Sequence, residues 1–411
     1  MLRTGMFYIK ILSFFFLIQA AVLCGKEPLA LYLTWTHDPT STMTIQWHTV
    51  EGDGNSYIYY QRLKGDVWEK LEASCANYMG SKRQIYTLEL QGLDPDSDYS
   101  FKIGKNEKVY LFRTMQREMK RPVRFVVGGD VYFQEGLFRK MNAQIAKTDP
   151  DFIVIGGDIA YTINYWALFK GKDWEERRWA TFFSEWQKSM IGGNGRIIPM
   201  LVVLGNHDIR KEAQGVPPFF QLFAMPEHLK AYRALEFGSY LNLIMLDTGH
   251  YSNVRGEQTA WLENVLKKEQ EGFKIAVYHV GAYPSVYKYN GSTPRAIRQE
   301  WVPLFEEYGV DTAFEHHNHA YKRTFRIKEG KVDPEGVQYL GDGSWGVGPR
   351  SVNKNLWYMA KSAKINCFWL VTVEEGMCTF ESRDIKGRTI EKIASQKPIV
   401  VEVEEINAKG R

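Results

Sequence analysis

Six apolar runs in the second part of the chain constrain its fold most: "VRFVVGGD", "FIVIGGD", "PMLVVLGNHD", "LNLIMLD", "KIAVYH" and "VDTAFEHH". Each is too continuous in Val, Ile, Leu and Phe for a strand with one wet face, which would alternate apolar with polar residues. Between them, "WEERRWATFFSEWQKSM" and "GEQTAWLENVLKKEQEG" repeat apolar residues at helical spacing. Buried strands alternating with helices predict an α/β domain with both sheet faces covered, over residues 122–395. Ligands of such folds gather at the carboxyl ends of the strands. Five of the six runs end in polar clusters there: Asp130, Asp158, "NHD" at 206–208, His279 and "HHNH" at 316–319.

Residues 27–115 have a different period. "MTIQWHT" and "YTLELQGL" alternate apolar and polar residues, "SYIYYQRL" is rich in strand formers, and turns such as "EGDGNS" and "LDPDSDYSF" punctuate them. That pattern predicts an antiparallel β-sandwich. Leu93 followed by Tyr99 reads as a tyrosine corner and Trp47 as core. The pattern resembles a fibronectin type III domain, a scaffold or recognition module without chemistry of its own. "RTMQREMKRP" is a charged connector between the two parts.

The first 25 residues combine Arg3 and Lys10 with an apolar run from Ile11 to Leu23. The run is shorter than the roughly 20 residues a spanning helix needs, and reads as a signal peptide. Export to a secreted, periplasmic or cell-envelope location is therefore expected, without stable membrane insertion. Cys24 raises lipoprotein attachment, although Leu23 before it is bulkier than such processing prefers. The formal charge is +4, of which Arg3 and Lys10 supply two with no acid beside them, leaving +2 for the rest. Basic residues are dispersed, so nucleic acid is not an expected partner. Cys367 and Cys378 lie on two β-like runs joined by "EEG"; a bridge across that hairpin is one reading, which spacing does not decide.

Three of the nine histidines crowd into "AFEHHNHAYKRT". Alone the stretch is a metal site, a surface cluster or a chance crowding. Together with Asp130, Asp158, Asn206 and His279, His317 and His319 complete a set of carboxylate, amide and imidazole groups at the ends of buried strands. Leaving such groups buried and unpaired costs about 1–3 kcal/mol each, and a pair of metal ions would satisfy them all. Mixed oxygen and nitrogen ligands suit iron, zinc or manganese. Strand alternation would bring His317 and His319 to one face and turn His316 away.

The order "GGDVYF", "GGDIAY", "GNHD", His279 and "HNHAYKR" resembles the metallophosphoesterase superfamily, and within it the purple acid phosphatases, over nearly the whole chain. Many superfamily members place a metal-binding His two residues after the first Asp. Here Tyr132 stands there and Tyr161 follows Asp158 by three, the exchange that marks purple acid phosphatases. The resemblance implies an α/β/β/α sandwich behind the β-sandwich. It also implies Fe3+ held by Asp130, Asp158, Tyr161 and His319, and a divalent ion (Zn2+, Fe2+ or Mn2+) held by Asp158, Asn206, His279 and His317. His207 would serve as phosphate donor or general acid, with Asp208 supporting it as carboxylates support histidines at metal sites.

The chain departs from the family at several points. Tyr132 replaces a usual Gly, Gly281 a usual Pro, and His316 the Gly or Asn before the H-x-H. "PSVYKYNGSTPRAIRQE" lacks the extra substrate-side histidines of plant members, so protonation of the leaving group rests on His207. Arg295 or Arg298 either contributes or is a solvated helix residue, and "GDGSWGV" either rims the site or forms a tight turn. The implied reaction is hydrolysis of small phosphomonoesters by a metal-bound hydroxide, with no phospho-enzyme. Two alternatives are a phosphodiesterase or nucleotide pyrophosphatase of the same superfamily, and a non-catalytic cell-surface binding protein.

Overall fold

The computed structural model describes residues 26–78, 81–163, 171–209, 216–268 and 271–397. The signal-peptide reading of residues 1–25, with Cys24, lies outside them. The alternating segment folds into two four-stranded antiparallel sheets. One orders Ala30–Thr34, Met43–Val50, Arg83–Leu90 and Ser74–Asn77; the other orders Glu69–Glu72, Tyr57–Arg62, Asp98–Ile103 and Tyr110–Arg113. Trp47 is fully buried and stacks on Tyr86 at 5.3 Å, and the Asp94 amide donates to the Tyr99 hydroxyl at 2.9 Å, closing the corner.

From Val123 onward two mixed sheets face each other. The first runs Met200–Val202, Phe152–Ile155, Val123–Gly128, Cys367–Glu374, Met377–Asp384, Thr389–Gln396, its first three strands parallel. The second carries Leu241–Leu246, Phe273–Val280, Thr312–His316 and Val337–Gly341 in parallel, with antiparallel strands on both flanks. Val127, Trp369 and Val371 from one sheet meet Val277, Phe314 and Leu340 from the other in a shared core. Helices Glu135–Ala146 and Gly171–Ser189 cover the outer face of the first sheet. Helices Glu257–Leu266, Ser292–Glu300 and Val302–Glu307 cover the second. Both faces of central strands such as Phe152–Ile155 and Leu241–Leu246 are buried, which is why their apolar runs are continuous, whereas Met377–Asp384 near the edge alternates.

A bridge between Cys367 and Cys378 is ruled out by register. Cys367 pairs with Asp384 and Cys378 with Val373, so the thiols sit six residues apart along the hairpin, about 20 Å at strand spacing. Both are buried and free, and Cys75 is exposed and free.

The sandwich is not a separate bead. Strand Met43–Val50 is buried from Met43 to Thr49, because Thr44, Gln46 and His48 face the second part of the chain rather than water. Gln46 Oε1 accepts from the Ala224 amide at 2.9 Å, and Arg233 donates to the Trp35 carbonyl at 2.8 Å. A relay crosses this boundary. Arg83 donates to His48 Nδ1 at 3.4 Å, leaving the proton on Nε2 to be given to the Tyr32 hydroxyl at 3.0 Å. The Tyr32 hydroxyl in turn donates to the Leu222 carbonyl.

Candidate metal centre

Every predicted ligand sits at or just past a strand's carboxyl end. Asp130 follows Val123–Gly128, and Asp158 and Tyr161 follow Phe152–Ile155. Asn206 follows Met200–Val202, His279 closes Phe273–Val280, and His317 and His319 follow Thr312–His316. Five of these seven hold left-handed backbone: Asp130 (φ 58°), Asp158 (54°), Tyr161 (51°), His317 (63°) and His319 (52°). Such conformations cost about 1–3 kcal/mol each in a non-Gly residue and collect where function demands a geometry.

Two groups form. In one, the Tyr161 hydroxyl donates to Asp130 Oδ1 at 2.6 Å, and His319 Nε2 lies 2.7 Å from that oxygen and 3.1 Å from the hydroxyl. In the other, Asp158, His279 and His317 bring one ligand atom each to within 4.8 Å of one another. His279 Nε2 stands 3.3 Å from Asp158 Oδ2 and 3.1 Å from Asn206 Oδ1. His279 Nδ1 donates to the Gly156 carbonyl at 2.8 Å, which orients the ring and leaves Nε2 aimed inward.

These residues fit a cation pair on their own chemistry. Asp158 Oδ2 and His317 Nδ1 are buried with no hydrogen-bond partner among the described residues. Burial resists charge on His279, yet the Asp158 and Asp130 carboxylates push its pKa up to about 10, so a proton stands where a cation would. Burial and then His279 lower His317 to about 4, keeping its lone pair free. Burial, followed by the Asp130 and Asp158 carboxylates, pushes the Tyr161 hydroxyl well above the usual phenol range, so ionising it requires a strong local positive charge. Gly343 lies beneath, at φ 52°; a Cβ there would come within 2.9 Å of Asp130 Oδ2 and of the His317 and His319 amides. The "GDGSWGV" loop is therefore the floor of the centre.

His316 turns away as expected, but for another reason. The strand ends at His316, so alternation does not govern the next three residues; the left-handed turns at 317 and 319 do. His316 is fully buried, its Nδ1 2.6 Å from Asp342 Oδ1 in the floor loop. It packs so closely on Gly156 that a Cβ there would come within 1.8 Å of its ring.

His207 lies at the open side, its side chain 31% exposed and its ring stacked on Tyr161 at 4.6 Å. Its amide donates to Asp158 Oδ1 at 2.7 Å, and its Nε2 is 3.9 Å from Asp158 Oδ2. The expectation that Asp208 supports the His207 ring is corrected: the ring's Nδ1 donates to the Ile163 carbonyl instead. The Asp208 carboxylate accepts the amides of Ile159 at 2.8 Å and Gly205 at 2.9 Å, tying the two ligand loops together. Burial, then the Asp158 carboxylate, raises its pKa to about 8.

Arg178, on the helix Gly171–Ser189, went unrecognised in the sequence. Its guanidinium donates to the Ala160 carbonyl at 2.9 Å and to the Tyr132 carbonyl, clamping the loops that carry Tyr161 and Asp130. It also covers the Tyr132 ring at 4.1 Å, which gives this non-glycine residue a use. Of the two arginines considered for chemistry, Arg298 donates to the carbonyls of Ala282 and Tyr289, and Arg295 to that of Asn290. Both brace a loop.

Residues 28–114 match the family model described as the purple acid phosphatase N-terminal domain, and residues 123–321 that of the calcineurin-like phosphoesterases. Purple acid phosphatase 23 of Arabidopsis thaliana is 26% identical over 370 residues, 79% of each chain. Probable purple acid phosphatase 20 of the same plant is 26% identical over 362 residues, 78% of each. In fold, purple acid phosphatase PPD1 from yellow lupin (Lupinus luteus) seeds superposes with a TM-score of 0.74 at 16% identity, over 90% of this chain and 74% of that one. With both domain models matched in order along one chain, the protein belongs to the purple acid phosphatase family and is a phosphoester hydrolase.

Proposed function

We propose that the protein hydrolyses phosphomonoesters to an alcohol and inorganic phosphate at a dinuclear Fe3+ and divalent-metal centre. One observation carries this reading: a buried carboxylate oxygen and an imidazole nitrogen, neither hydrogen-bonded among the described residues, converge beside a tyrosine hydroxyl already in contact with Asp130 and His319. Asp130, Asp158, Tyr161 and His319 would hold the ferric ion, and Asp158, Asn206, His279 and His317 the divalent one. The ions supply Lewis acidity, which acidifies water and neutralises charge on the phosphoryl oxygens. The chain supplies the proton. With Nδ1 committed to the Ile163 carbonyl, His207 turns Nε2 to the open side, from where it would donate to a departing alkoxide. Asp208 keeps the His207 loop in register with Asp158.

Export of the mature chain from about Lys26 belongs to the same reading. Among the described residues no helix is long and apolar enough to cross a membrane.

Metal analysis with a phosphate-release panel tests the reaction. Iron plus one divalent metal, with monoesters turned over faster than diesters, is the expected result; faster diester turnover overturns it. His207→Ala should lower turnover on the order of 10²–10⁴-fold with both metals retained. Metal loss from that variant would show that His207 is a ligand.

A further inference from the structure

The strand Arg233–Phe237 ends the second sheet. It pairs with Leu241–Leu246 on one side, and among the described residues no strand pairs with the other. A cavity of about 590 Å³ lies beside that free edge and is lined by five consecutive residues, Tyr232 to Glu236. Its remaining walls come from the sandwich, the connector and the helix Glu257–Leu266. None of these residues belongs to the metal centre.

The two faces of the edge differ in chemistry. Arg233, Leu235 and Phe237 point inward, and the last two join the shared core. Arg233 is 2% exposed and donates one hydrogen bond to the Trp35 carbonyl, at 2.8 Å. Its Nε and Nη2 have no hydrogen-bond partner among the described residues. Burial alone pulls its pKa down, to about 10, with no carboxylate acting against it. Arg117 and Lys268, exposed at the same cavity, take part in no ion pair among the described residues. The acids that line the cavity are engaged or turned away. Asp38 accepts from the Thr40 amide at 2.8 Å and the Ser41 hydroxyl at 2.7 Å, and Glu227 pairs with Lys230 at 2.6 Å. Glu236 stands on the outward face of the strand, opposite to Arg233. His37 already pairs with Glu89, at 2.8 Å. On the outward face Ala234 and Trp261 pack against the core under the helix, and Val265 extends that apolar wall.

A free edge offers backbone amides and carbonyls to any extended chain, and an inward-pointing charge is a guard against such pairing. Here the guard discriminates. An apolar strand laid on this edge would bury the Arg233 cation further with no counter-charge, whereas a carboxylate at the facing position would compensate it. We propose that the edge of Arg233–Phe237 is a docking groove for an acidic segment of a partner protein, bound in extended form as an added strand. Alternate side chains of that segment would be carboxylates facing Arg233 and Arg117, and apolar groups facing Trp261 and Val265.

The probe is a six-residue peptide of alternating Val and Glu, capped at both ends, with the Val and Lys peptide as its control. Calorimetry on the metal-loaded full chain should show binding of the first and not of the second. Amide exchange should slow over residues 233–237 when the acidic peptide is present, which locates it on the edge rather than at the metals. Arg233→Met should weaken binding about tenfold or more, the loss of a charge-assisted contact. Arg117→Gln changes an exposed residue, so it keeps the proposal open to refutation if Arg233→Met does not fold; it should weaken binding about threefold or more. Equal binding of the Lys peptide overturns the groove, as does acidic-peptide binding that leaves exchange at 233–237 unchanged or is indifferent to both variants. Free glutamate binding as tightly as the peptide would reduce the site to an anion pocket. A dimer of the full chain that protects the same amides without peptide would assign the edge to a second copy instead.

Discussion

Tyr161 separates a ferric–tyrosinate centre from an ordinary dizinc or dimanganese one, because its hydroxyl is the only phenol in contact with both Asp130 and His319 among the described residues. Iron-loaded, oxidised protein should carry a visible charge-transfer band. Tyr161→Phe should lose the band and keep the fold, since the ring still packs between His207 and Phe133. A variant that keeps an unchanged band would show that the hydroxyl is no ligand. His316 makes the opposite prediction. His316→Ala removes one partner of a pair in which both side chains are fully buried, leaving Asp342 with backbone amide donors alone. The expected cost is about 3–5 kcal/mol in denaturant unfolding, with both metals retained after refolding. Stripped metal would place His316 in the ligand set. The ligand types were legible because polar residues at the ends of apolar runs need partners. Their backbone state was not, since nothing in "HHNH" or "GDIAY" announces a left-handed residue, and the Ile163 carbonyl that holds His207 has no side chain to reveal it.

At the scale of elements, the helix Gly171–Ser189 reaches over the first sheet to hold two ligand loops through Arg178. Arg178→Met keeps much of the side-chain bulk and removes both hydrogen bonds. Metal affinity, read by chelator competition, should fall about tenfold or more, as when groups supporting metal ligands are lost. Unchanged affinity would reduce Arg178 to packing on Tyr132. The buried strands and the helices were readable from period alone, because both faces of the central parallel strands are covered. The sandwich misled in one respect. Thr44, Gln46 and His48 alternate with Met43, Ile45 and Trp47 as though they faced water, yet they form an interface. Polar residues that bond to another part of the chain look the same in a sequence as polar residues that bond to solvent. The pairing of Cys367 and Cys378 failed for a related reason, since only the register shows which residues of a hairpin oppose each other.

At the scale of the whole molecule, His48 couples stability to acid. Burial first, and then the Arg83 guanidinium, hold its pKa well below the usual imidazole value of about 6.5. Below that value the unfolded chain takes up a proton that the folded chain refuses. The contribution is therefore complete above about pH 6.5 and is lost as pH falls, at up to about 1.4 kcal/mol per pH unit. His48→Gln should flatten the slope of unfolding free energy against pH below that point. A variant with the wild-type slope would show that His48 charges freely in the folded state. The same boundary has a further consequence. Trp35 lies edge-on to Phe152 and Phe237, and Tyr32 stacks on Phe183 at 4.5 Å, so one continuous core runs from the sandwich into the phosphoesterase sheets. The exposed connector residues Arg117 and Lys120 are the natural place for a protease to cut. A single nick there breaks the chain but not the core, and the two fragments would travel as one particle. For this protein the peptide link between the two parts is a tether, and the adhesive is the aromatic seam.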